Sequence, residues 1–260
     1  MNLSYSKICC LRDCPKRFFF EYVLRLEREP QIIDYGQLGS KAHLILEEFY
    51  KYVNLDTDNI TKEFNNILGR LYHKHFRGIQ DPKGSFANGV KNFCNREIKR
   101  YDSLEDKSTF MPRYVELPLE TEIAGQYFRG RLDVVYINPD GTLKPCDWKF
   151  TNSNAIKEPQ EIQSSIYIIM LEQQMNISCD KYYFHFLKHG TGKTGRGFEK
   201  VINVTEELKD KLRDIITESA EIIEKGEFEP KIQLDYFCSH FCPYYGMCMD
   251  ELMGDYNGDD

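Results

Sequence analysis

Asp133, Asp147 and Lys149 are the residues of this chain whose types and spacing most directly predict chemistry. Asp133 is embedded in an apolar run, where an unpaired carboxylate would be costly, and Asp147 lies two residues before Lys149. Two carboxylates can hold a divalent cation that polarises a phosphate and activates a water, while a lysine beside them stabilises the developing oxyanion. The group therefore predicts metal-assisted phosphodiester hydrolysis, the chemistry of a nuclease.

Two neighbouring strands have to position this group. Alternating apolar residues predict strands at 114–121, 126–137 and 143–150, and residues 138–141 carry a strong turn signal between the second and the third. A turn there brings Asp133 close to Asp147, and the alternation of side chains places Asp147 and Lys149 on one face. Hard oxygen ligands suit Mg²⁺ or Mn²⁺, with the backbone carbonyl of Trp148 as a candidate further ligand.

The rest of the chain has the pattern of an α/β protein. Apolar periodicity predicts helices at 4–27, 38–52, 60–77, 86–102, 158–174 and 205–225, and strands at 181–188 and 197–204. Because no repeat or long linker divides the 260 residues, we predict one domain over residues 1–250. Within it we expect a helical insertion at 51–110, followed after the domain by an acidic tail at 251–260.

Composition limits the compartment and the manner of binding. A net charge of −7 argues against an overall basic surface, so nucleic acid would be bound in a local groove and through metal ions. We see neither a signal peptide nor an apolar segment of membrane-spanning length, so we expect a cytoplasmic protein that does not contact membranes. Nine cysteines in such a chain favour reduced thiols and metal ligation over disulfides.

Three of the cysteines fall within eleven residues near the C-terminus, which indicates metal ligation. They are Cys238, Cys242 and Cys248. Cys14 is the best candidate for a fourth ligand, although Cys9 or Cys10 could replace it and His240 could compete. Zinc is one candidate metal, but the five-residue gap before the last cysteine of the three is long for a zinc knuckle.

Six separated pieces of the sequence together resemble the PD-(D/E)XK nuclease superfamily, specifically its RecB-like branch. The pieces are Leu3-Ser4-Tyr5-Ser6 with Cys14-Pro15, Gly39-Ser40-Lys41-Ala42-His43, Glu116, Gly130-Arg131-Leu132-Asp133, Asp147-Trp148-Lys149 and Gln163-Ser164-Ser165-Ile166-Tyr167. The resemblance covers most of the chain. It implies a restriction-endonuclease-like core, in which helices flank a mixed central sheet.

The same resemblance implies roles for individual residues. Metal ligands would be His43, Asp133, Asp147 and, as a further candidate, Glu116. Lys149 matches the catalytic lysine of the family. Gln163 and Tyr167 match a pair that faces the DNA and the active site, and their i, i+4 spacing places both on one helical face.

The cysteine layout resembles the iron–sulfur subset of RecB-like nucleases, found in AddB-type helicase–nucleases and in the CRISPR adaptation exonucleases. By this resemblance Cys14, Cys238, Cys242 and Cys248 hold a [4Fe-4S] cluster that staples the N- and C-terminal regions together. The first C-terminal gap holds three residues here, where the family pattern has two. We therefore expect the cluster, with zinc as the alternative.

The resemblance also implies a Mg²⁺- or Mn²⁺-dependent deoxyribonuclease, an exonuclease on single-stranded DNA ends. It would serve recombination, repair, phage DNA processing or CRISPR spacer processing, with a helicase, a recombination protein or a CRISPR adaptation protein as partner. Two alternatives remain open at this point. One is a module that keeps the fold without cutting, and the other is a zinc-stapled nucleic-acid-binding protein.

Two basic stretches are candidate DNA contacts. A glycine-rich loop at 190–195 contains Lys193 and is flanked by Lys188 and Arg196. It is not a phosphate-binding P-loop, because Leu187 stands where that pattern needs its first glycine. The second stretch belongs to the predicted helical insertion and consists of Lys91, Arg96, Lys99 and Arg100. Either stretch could line a DNA path or be an ordinary solvated face.

Overall fold

The computed structural model of the protein describes residues 1–30, 33–138, 140–189, 198–231 and 235–254. The chain forms two compact units. The larger unit comprises Asp34–Leu119 and Gly130–Leu208, and the smaller comprises Met1–Ile33, Glu120–Arg129 and Lys209–Asp260. The single domain expected over residues 1–250 stays a prediction.

A five-stranded mixed sheet is the framework of the fold, in the spatial order β1-β2-β3-β4-β5. Its strands are β1 (Tyr114–Ile123), β2 (Gln126–Ile137), β3 (Leu143–Lys149), β4 (Lys181–Phe186) and β5 (Glu199–Asn203). β2 and β3 are antiparallel, β3 and β4 are parallel, and β4 and β5 are antiparallel. This confirms the predicted α/β class with a mixed sheet flanked by helices.

The predicted turn between β2 and β3 fixes the register of the two acidic strands. Thr142 donates its backbone N–H to Asp140 Oδ1 at 2.9 Å, and Gly141 adopts a φ of 83°, which glycine tolerates readily. The paired ladder ends at Val134 and Cys146. Asp133 and Asp147 come one residue beyond that pair, so the turn brings the two carboxylates to the same end of the ladder.

Parallel β3 and β4 require a crossover, and α6 (Glu158–Met175) supplies it. Residues 162–171 of this helix are all buried. Most of them are apolar, but Gln163 lies among them, and a buried amide needs hydrogen-bond partners. The helix ends at Asn176, whose left-handed conformation (φ 52°, ψ 41°) suits a C-terminal cap.

Three helices of the larger unit share one aromatic contact. They are α3 (Tyr35–Tyr52), α4 (Ile60–Phe76) and α5 (Ser85–Ser103). Asp34 and Asn59 cap the first two through backbone N–H groups, each at 2.9 Å. Phe49 packs edge-on against Phe64 and Phe93, with ring centroids 5.0 and 5.4 Å apart. This contact fixes α3, the helix that carries His43.

Two of the four basic residues of α5 pair with a buried glutamate instead of lining a DNA path. Glu97 is fully buried, Arg100 Nη2 lies 2.7 Å from Glu97 Oε2, and Arg96 pairs with the other carboxylate oxygen. Burial opposes the charge of Glu97, but Arg100 and Arg96 outweigh it and lower the pKa of this carboxyl. The sequence left a DNA path and a solvated face open for this stretch, and Arg96 and Arg100 instead neutralise a buried glutamate.

The single helix predicted over residues 4–27 is also wrong. The segment forms α1 (Tyr5–Asp13), α2 (Pro15–Phe18) and a π-helical turn at Phe19–Val23. Cys14 separates the first two with an extended backbone (φ −157°, ψ 109°), because a residue before proline is disfavoured in the helical region. Cys14, which is half-buried, therefore lies between two helices and not within one.

The remaining helices are α7 (Glu206–Lys225), α8 (Asp235–Phe241) and α9 (Tyr245–Gly254). In the smaller unit Cys10, Leu11 and Phe18 form a buried cluster. Partly buried apolar residues pack against it: Tyr22, Ile222, Ile223 and Phe228. Within the described ranges, no helix has the length and apolarity needed to cross a membrane.

Candidate active site

An open cleft of about 690 Å³ lies in the larger unit between α3 and the strand ends of β1, β2 and β3. We call it the α3 cleft. It is lined by Tyr35, Gly36, Gly39, Ser40, His43, Leu44, Glu47, Glu116, Arg131, Asp133, Trp148, Lys149, Phe150 and Thr151. Four of these carry the charge or donor chemistry that the sequence predicts for a metal-dependent site: His43, Glu116, Asp133 and Lys149.

His43, Glu116 and Asp133 come together at the base of the cleft. One ligand atom from each lies within 4.8 Å of the others, a spacing at which the three could hold a metal ion. His43 Nδ1 lies 3.4 Å from Asp133 Oδ2. We call this group the metal triad. Its donors are one imidazole nitrogen and carboxylate oxygens, a set that suits divalent first-row cations and Mg²⁺.

The two carboxylates shape the electrostatics of the triad. Burial alone would lower the pKa of His43, but Asp133 and then Asp147 outweigh it and raise the pKa to about 9. Burial and the neighbouring Asp133 raise the pKa of Glu116 to about 7. The nearby cationic side chains therefore do not fully neutralise the negative charge of the site. A divalent cation bound there would neutralise it.

Glu116 reaches this position through an unusual backbone. Its φ is 52°, in the left-handed region, although it lies inside β1. A non-glycine residue in this conformation is strained, and such strain tends to occur where a side chain has to be re-aimed within a strand. The sequence placed Glu116 in a strand, but strand alternation alone could not show that its side chain reaches the triad.

Asp133 links the triad to β3. It is 9% exposed, and its Oδ2 accepts a hydrogen bond from the backbone N–H of Trp148 at 2.7 Å. The indole of Trp148 is in turn held by Tyr50, stacked at a centroid distance of 6.4 Å, and by the edge of Phe93 at 5.8 Å. Both acidic strands are therefore fixed at the site. A role for the Trp148 carbonyl as a ligand stays a prediction.

Asp147, Lys149 and Gln163 form a closed polar ring next to the triad. Lys149 Nζ lies 2.9 Å from Asp147 Oδ2 and donates to Gln163 Oε1 at 2.7 Å. Gln163 Nε2 donates to Asp147 Oδ1. Asp147 Oδ2 is buried, and the Lys149 ammonium is its ion-pair partner. Burial, opposed by Lys149 and reinforced by Asp133, raises the pKa of Asp147.

Tyr167 supports β2 from behind the cleft. It is 7% exposed, and its hydroxyl donates to the Arg131 carbonyl at 2.8 Å while accepting from the Arg131 N–H at 3.2 Å. A Cβ at Gly130 would come within 2.9 Å of the Tyr167 ring, so only glycine allows this approach. Gln163 and Tyr167 thus share a helical face, as the spacing predicts. Their role in DNA contact stays a prediction.

Two cleft residues were not singled out from the sequence. Arg131 lies two residues before Asp133 on the same face of β2, with 65% of its side chain exposed and Nη1 3.4 Å from Glu116 Oε2. Glu47 lies one helical turn after His43 and lines the same wall. Period-2 and i, i+4 spacing from known site residues would have found both.

The basic loop next to β4 is only partly described. Lys188 lies over the Phe86 ring at 4.2 Å, and partial burial lowers the pKa of its ammonium. Lys193 and Arg196 lie outside the described residues. The contact of this loop with DNA stays a prediction.

Four cysteines line one small cavity in the smaller unit, with a volume of about 40 Å³. They are Cys14, Cys238, Cys242 and Cys248. Burial raises the pKa of Cys242, and the charges of Cys14 and Cys238 act on it in the same direction. Lys16, Arg17 and Lys231 also line this cysteine cavity. The other described lining residues do not include Cys9 or Cys10, which favours Cys14 as the fourth member.

With the fold and the sites in place, the family is clear. A family model for the PD-(D/E)XK nuclease superfamily matches residues 2–249, nearly the whole chain. This protein belongs to that superfamily.

Two solved structures resemble the chain at a distance. One, from Eubacterium rectale, is designated as a candidate exonuclease, with 14% identity, a TM-score of 0.48, and 88% of this chain and 83% of that chain covered. The other is the protein SSO0001, with 12% identity, a TM-score of 0.44, and 95% and 85% covered. A search of curated proteins found no match. The structural likenesses are too distant to assign an activity, so the family match carries the assignment.

Proposed function

We propose that this protein is a metal-dependent deoxyribonuclease that degrades single-stranded DNA from its ends. The observation that carries the proposal is the metal triad of His43, Glu116 and Asp133, which opens into the α3 cleft beside the Asp147–Lys149 pair. Hard ligands, a fixed cation and an open cleft are the components that phosphodiester hydrolysis requires. Family membership supports the nuclease chemistry independently.

Each side chain has a role in this reaction. The triad would hold Mg²⁺ or Mn²⁺, with Asp147 Oδ2 next to it, and the bound cation would supply Lewis acidity and an activated water. Lys149 lines the cleft, and its ammonium is fixed between Asp147 and Gln163. This positive charge would stabilise the developing oxyanion. Gln163 positions Lys149 and orients Asp147 with one amide group.

The charge balance of the cleft supports strict metal dependence. Glu47, Glu116 and Asp133 line it, and an anionic phosphate approaching them would be repelled. Arg131 and Lys149 are cations of the lining, but both lie close to carboxylates. A divalent cation at the triad changes the sign of the local field and allows the phosphate to enter.

The preference for single-stranded ends rests on the resemblance to RecB-like nucleases and agrees with the size of the cleft. At about 690 Å³, the cleft falls within the range of roughly 300–1,000 Å³ that holds small ligands, which suits a short stretch of one strand. The proposed context is recombination, repair, phage DNA processing or CRISPR spacer processing. A helicase, a recombination protein or a CRISPR adaptation protein would be the partner.

Cleavage of end-labelled single-stranded DNA with Mn²⁺ or Mg²⁺ tests this proposal. We expect wild type and the exposed-lysine control Lys62→Ala to degrade the strand, and Lys149→Ala to lose activity while keeping its fold. Labels at the 5′ and 3′ ends give the polarity, and a circular strand separates exonuclease from endonuclease activity. A folded wild type that binds DNA without cutting it would favour the non-cutting module instead.

The cysteine cavity supports a second part of the proposal, a [4Fe-4S] cluster held by Cys14, Cys238, Cys242 and Cys248. Its volume of about 40 Å³ exceeds the roughly 10–15 Å³ that one water requires, so the space among the thiols admits more than a single atom. Lys16, Arg17 and Lys231 would balance the charge of four thiolates. Their proposed effect is structural, because the cavity gathers segments from both ends of the chain.

Metal analysis of anaerobically purified protein decides between the cluster and zinc. We expect a brown protein that contains iron and acid-labile sulfide, and we expect Cys242→Ser to lose both. Cys179→Ser is the matched control, because Cys179 is a buried free thiol of the larger unit. Colourless protein with stoichiometric zinc would replace the cluster by the zinc alternative.

A further inference from the structure

Gly39 lies in the interior of α3, and no contact among the described residues requires glycine there. Glycine is among the poorest helix formers, so its presence inside a helix calls for an explanation. A Cβ built at Gly39 meets no heavy atom of the described residues within 4 Å beyond its own helical turn. Gly36 differs, since a Cβ there would lie 3.2 Å from Oδ1 of the capping Asp34. A Cβ at Gly36 would therefore crowd the capping carboxylate, whereas a Cβ at Gly39 would meet open space among the described residues.

The position of Gly39 points to the cleft. Gly39 lines the α3 cleft together with Gly36 and Ser40, and it lies one helical turn before His43 on the same face. Between Gly36 and His43, α3 lines the cleft with two glycines and the short side chain of Ser40. Arg131, with its largely exposed side chain, lines the same cleft.

We propose that the sugar-phosphate backbone of the substrate strand lies against α3 at Gly39 on its way to the metal triad, and that Gly39 is glycine to leave room for it. This inference rests on the proposed nuclease function and specifies which surface the substrate uses. A methyl group at this point projects into the cleft and prevents close contact with the helix. The Arg131 guanidinium, which lines the same cleft, can then pair with a phosphate of the strand.

A second glycine of the chain makes a matched control. Gly69 lies inside α4, is exposed, and likewise has no described heavy atom within 4 Å of a built Cβ. It does not line the α3 cleft. Gly39→Ala and Gly69→Ala therefore make the same chemical change in the same secondary structure. They differ in whether the new methyl group enters the cleft.

The experiment compares stability, strand binding and cleavage in both variants. Both alanines should raise the Tm by about 1–4 °C, because each removes a helix-interior glycine. Gly69→Ala should bind and cleave a single-stranded oligonucleotide like wild type. Gly39→Ala should weaken binding by about 5- to 150-fold, the range expected for overpacking, and Gly39→Leu should weaken it further.

A small substrate separates obstruction of the strand from damage to the metal triad. Hydrolysis of the p-nitrophenyl ester of thymidine 5′-phosphate and affinity for Mn²⁺ should both be retained in Gly39→Ala. If Gly39→Ala matches Gly69→Ala in strand binding, or if it loses Mn²⁺ affinity and ester hydrolysis as well, the proposal is overturned. A wild type that binds the strand without cutting it contradicts the nuclease function, yet the binding comparison still decides the role of Gly39.

Discussion

The α3 cleft and the cysteine cavity both gather potential metal ligands, but they do so in opposite ways. The cleft is open, and its donors are oxygen and imidazole. The cavity is small, its donors are thiols, and lysine and arginine side chains surround it. Open sites with hard ligands exchange metal and admit substrate, whereas enclosed thiolate sites hold metal permanently. On the functions proposed for them, the cleft is a site for turnover and the cavity is a site for stability.

Treatment with a chelator should give the largest difference between the α3 cleft and the cysteine cavity. EDTA removes an exchangeable Mg²⁺ or Mn²⁺ from the triad, so we expect strand cleavage to fall below detection and to return when Mn²⁺ is added in excess. Iron bound by the four cysteines should stay in place during the same treatment. Parallel measurement of activity and of iron content by mass spectrometry checks this. Loss of iron together with activity would mean that the two sites are not distinguished by exchange.

Asp133→Asn should give the next largest effect. The change keeps the size of the side chain and removes the charge that serves the triad, so cleavage should fall about a thousandfold and Mn²⁺ affinity should drop. Iron content should stay unchanged, because Asp133 belongs to the larger unit. Asp102→Asn, at an exposed position of α5, is the control and should behave like wild type. Single-turnover cleavage and Mn²⁺ titration measure both effects.

Acid should weaken the larger unit through His185. Burial and then Arg96 of α5 lower the pKa of this histidine to about 3, against the opposing effect of Glu199 of β5, and Lys144 of β3 lowers it further. Between this value and an unfolded pKa of about 6.5, the unfolded chain binds the extra proton, so stability falls as pH falls. From pH 7 to pH 5 the loss should be on the order of 1–2 kcal/mol.

Fluorescence of Trp148, the chain's one tryptophan, follows the larger unit in this experiment. His185→Gln should flatten the pH dependence of urea unfolding between pH 7 and pH 5. Glu199, whose pKa is lowered to about 2 by its partners His185 and Lys144 in spite of burial, acts in the same direction below about pH 4.5. An unchanged slope in His185→Gln would assign the acid sensitivity to other groups.

Tyr167→Phe should give the smallest effect, and it tests whether the Tyr167 hydroxyl belongs to the active site. Removing the hydroxyl deletes its hydrogen bonds to the Arg131 backbone, at a cost of about 0.5–1.5 kcal/mol in the free energy of unfolding. If Tyr167 acts by holding β2, cleavage should fall only a fewfold and Mn²⁺ affinity should change little. A loss as large as that of Lys149→Ala would instead place the hydroxyl in the reaction.

The sequence predicted the parts of the site that follow from short-range geometry. Strand alternation and one turn bring Asp133, Asp147 and Lys149 together, because both rules act over a few residues. The long-range member, His43, came from the family resemblance, since helical periodicity alone cannot show which strand a helix faces. Glu116 lies between these cases. Its strand was predicted, but its left-handed backbone depends on tertiary contacts.

The errors have equally local causes. The helix expected over 4–27 breaks at Cys14 because the following proline restricts its backbone, a rule that was available from the sequence. The basic appearance of α5 was misleading because Glu97 lies between Arg96 and Arg100 in space as well as in sequence. A charge pattern predicts exposure only when the opposite charge is absent from the buried side of the same helix.

The polar ring and the metal triad also differ in the number of residues between the members that each brings into contact. This difference predicts the order in which the two groups form during folding. Lys149 and Gln163 are 14 residues apart, whereas His43 reaches Asp133 across 90 residues. Closing a longer loop costs more entropy and comes later in folding. We therefore expect a folding chain to bring its lysine, amide and aspartate together before its histidine, so that the proposed active site is completed last.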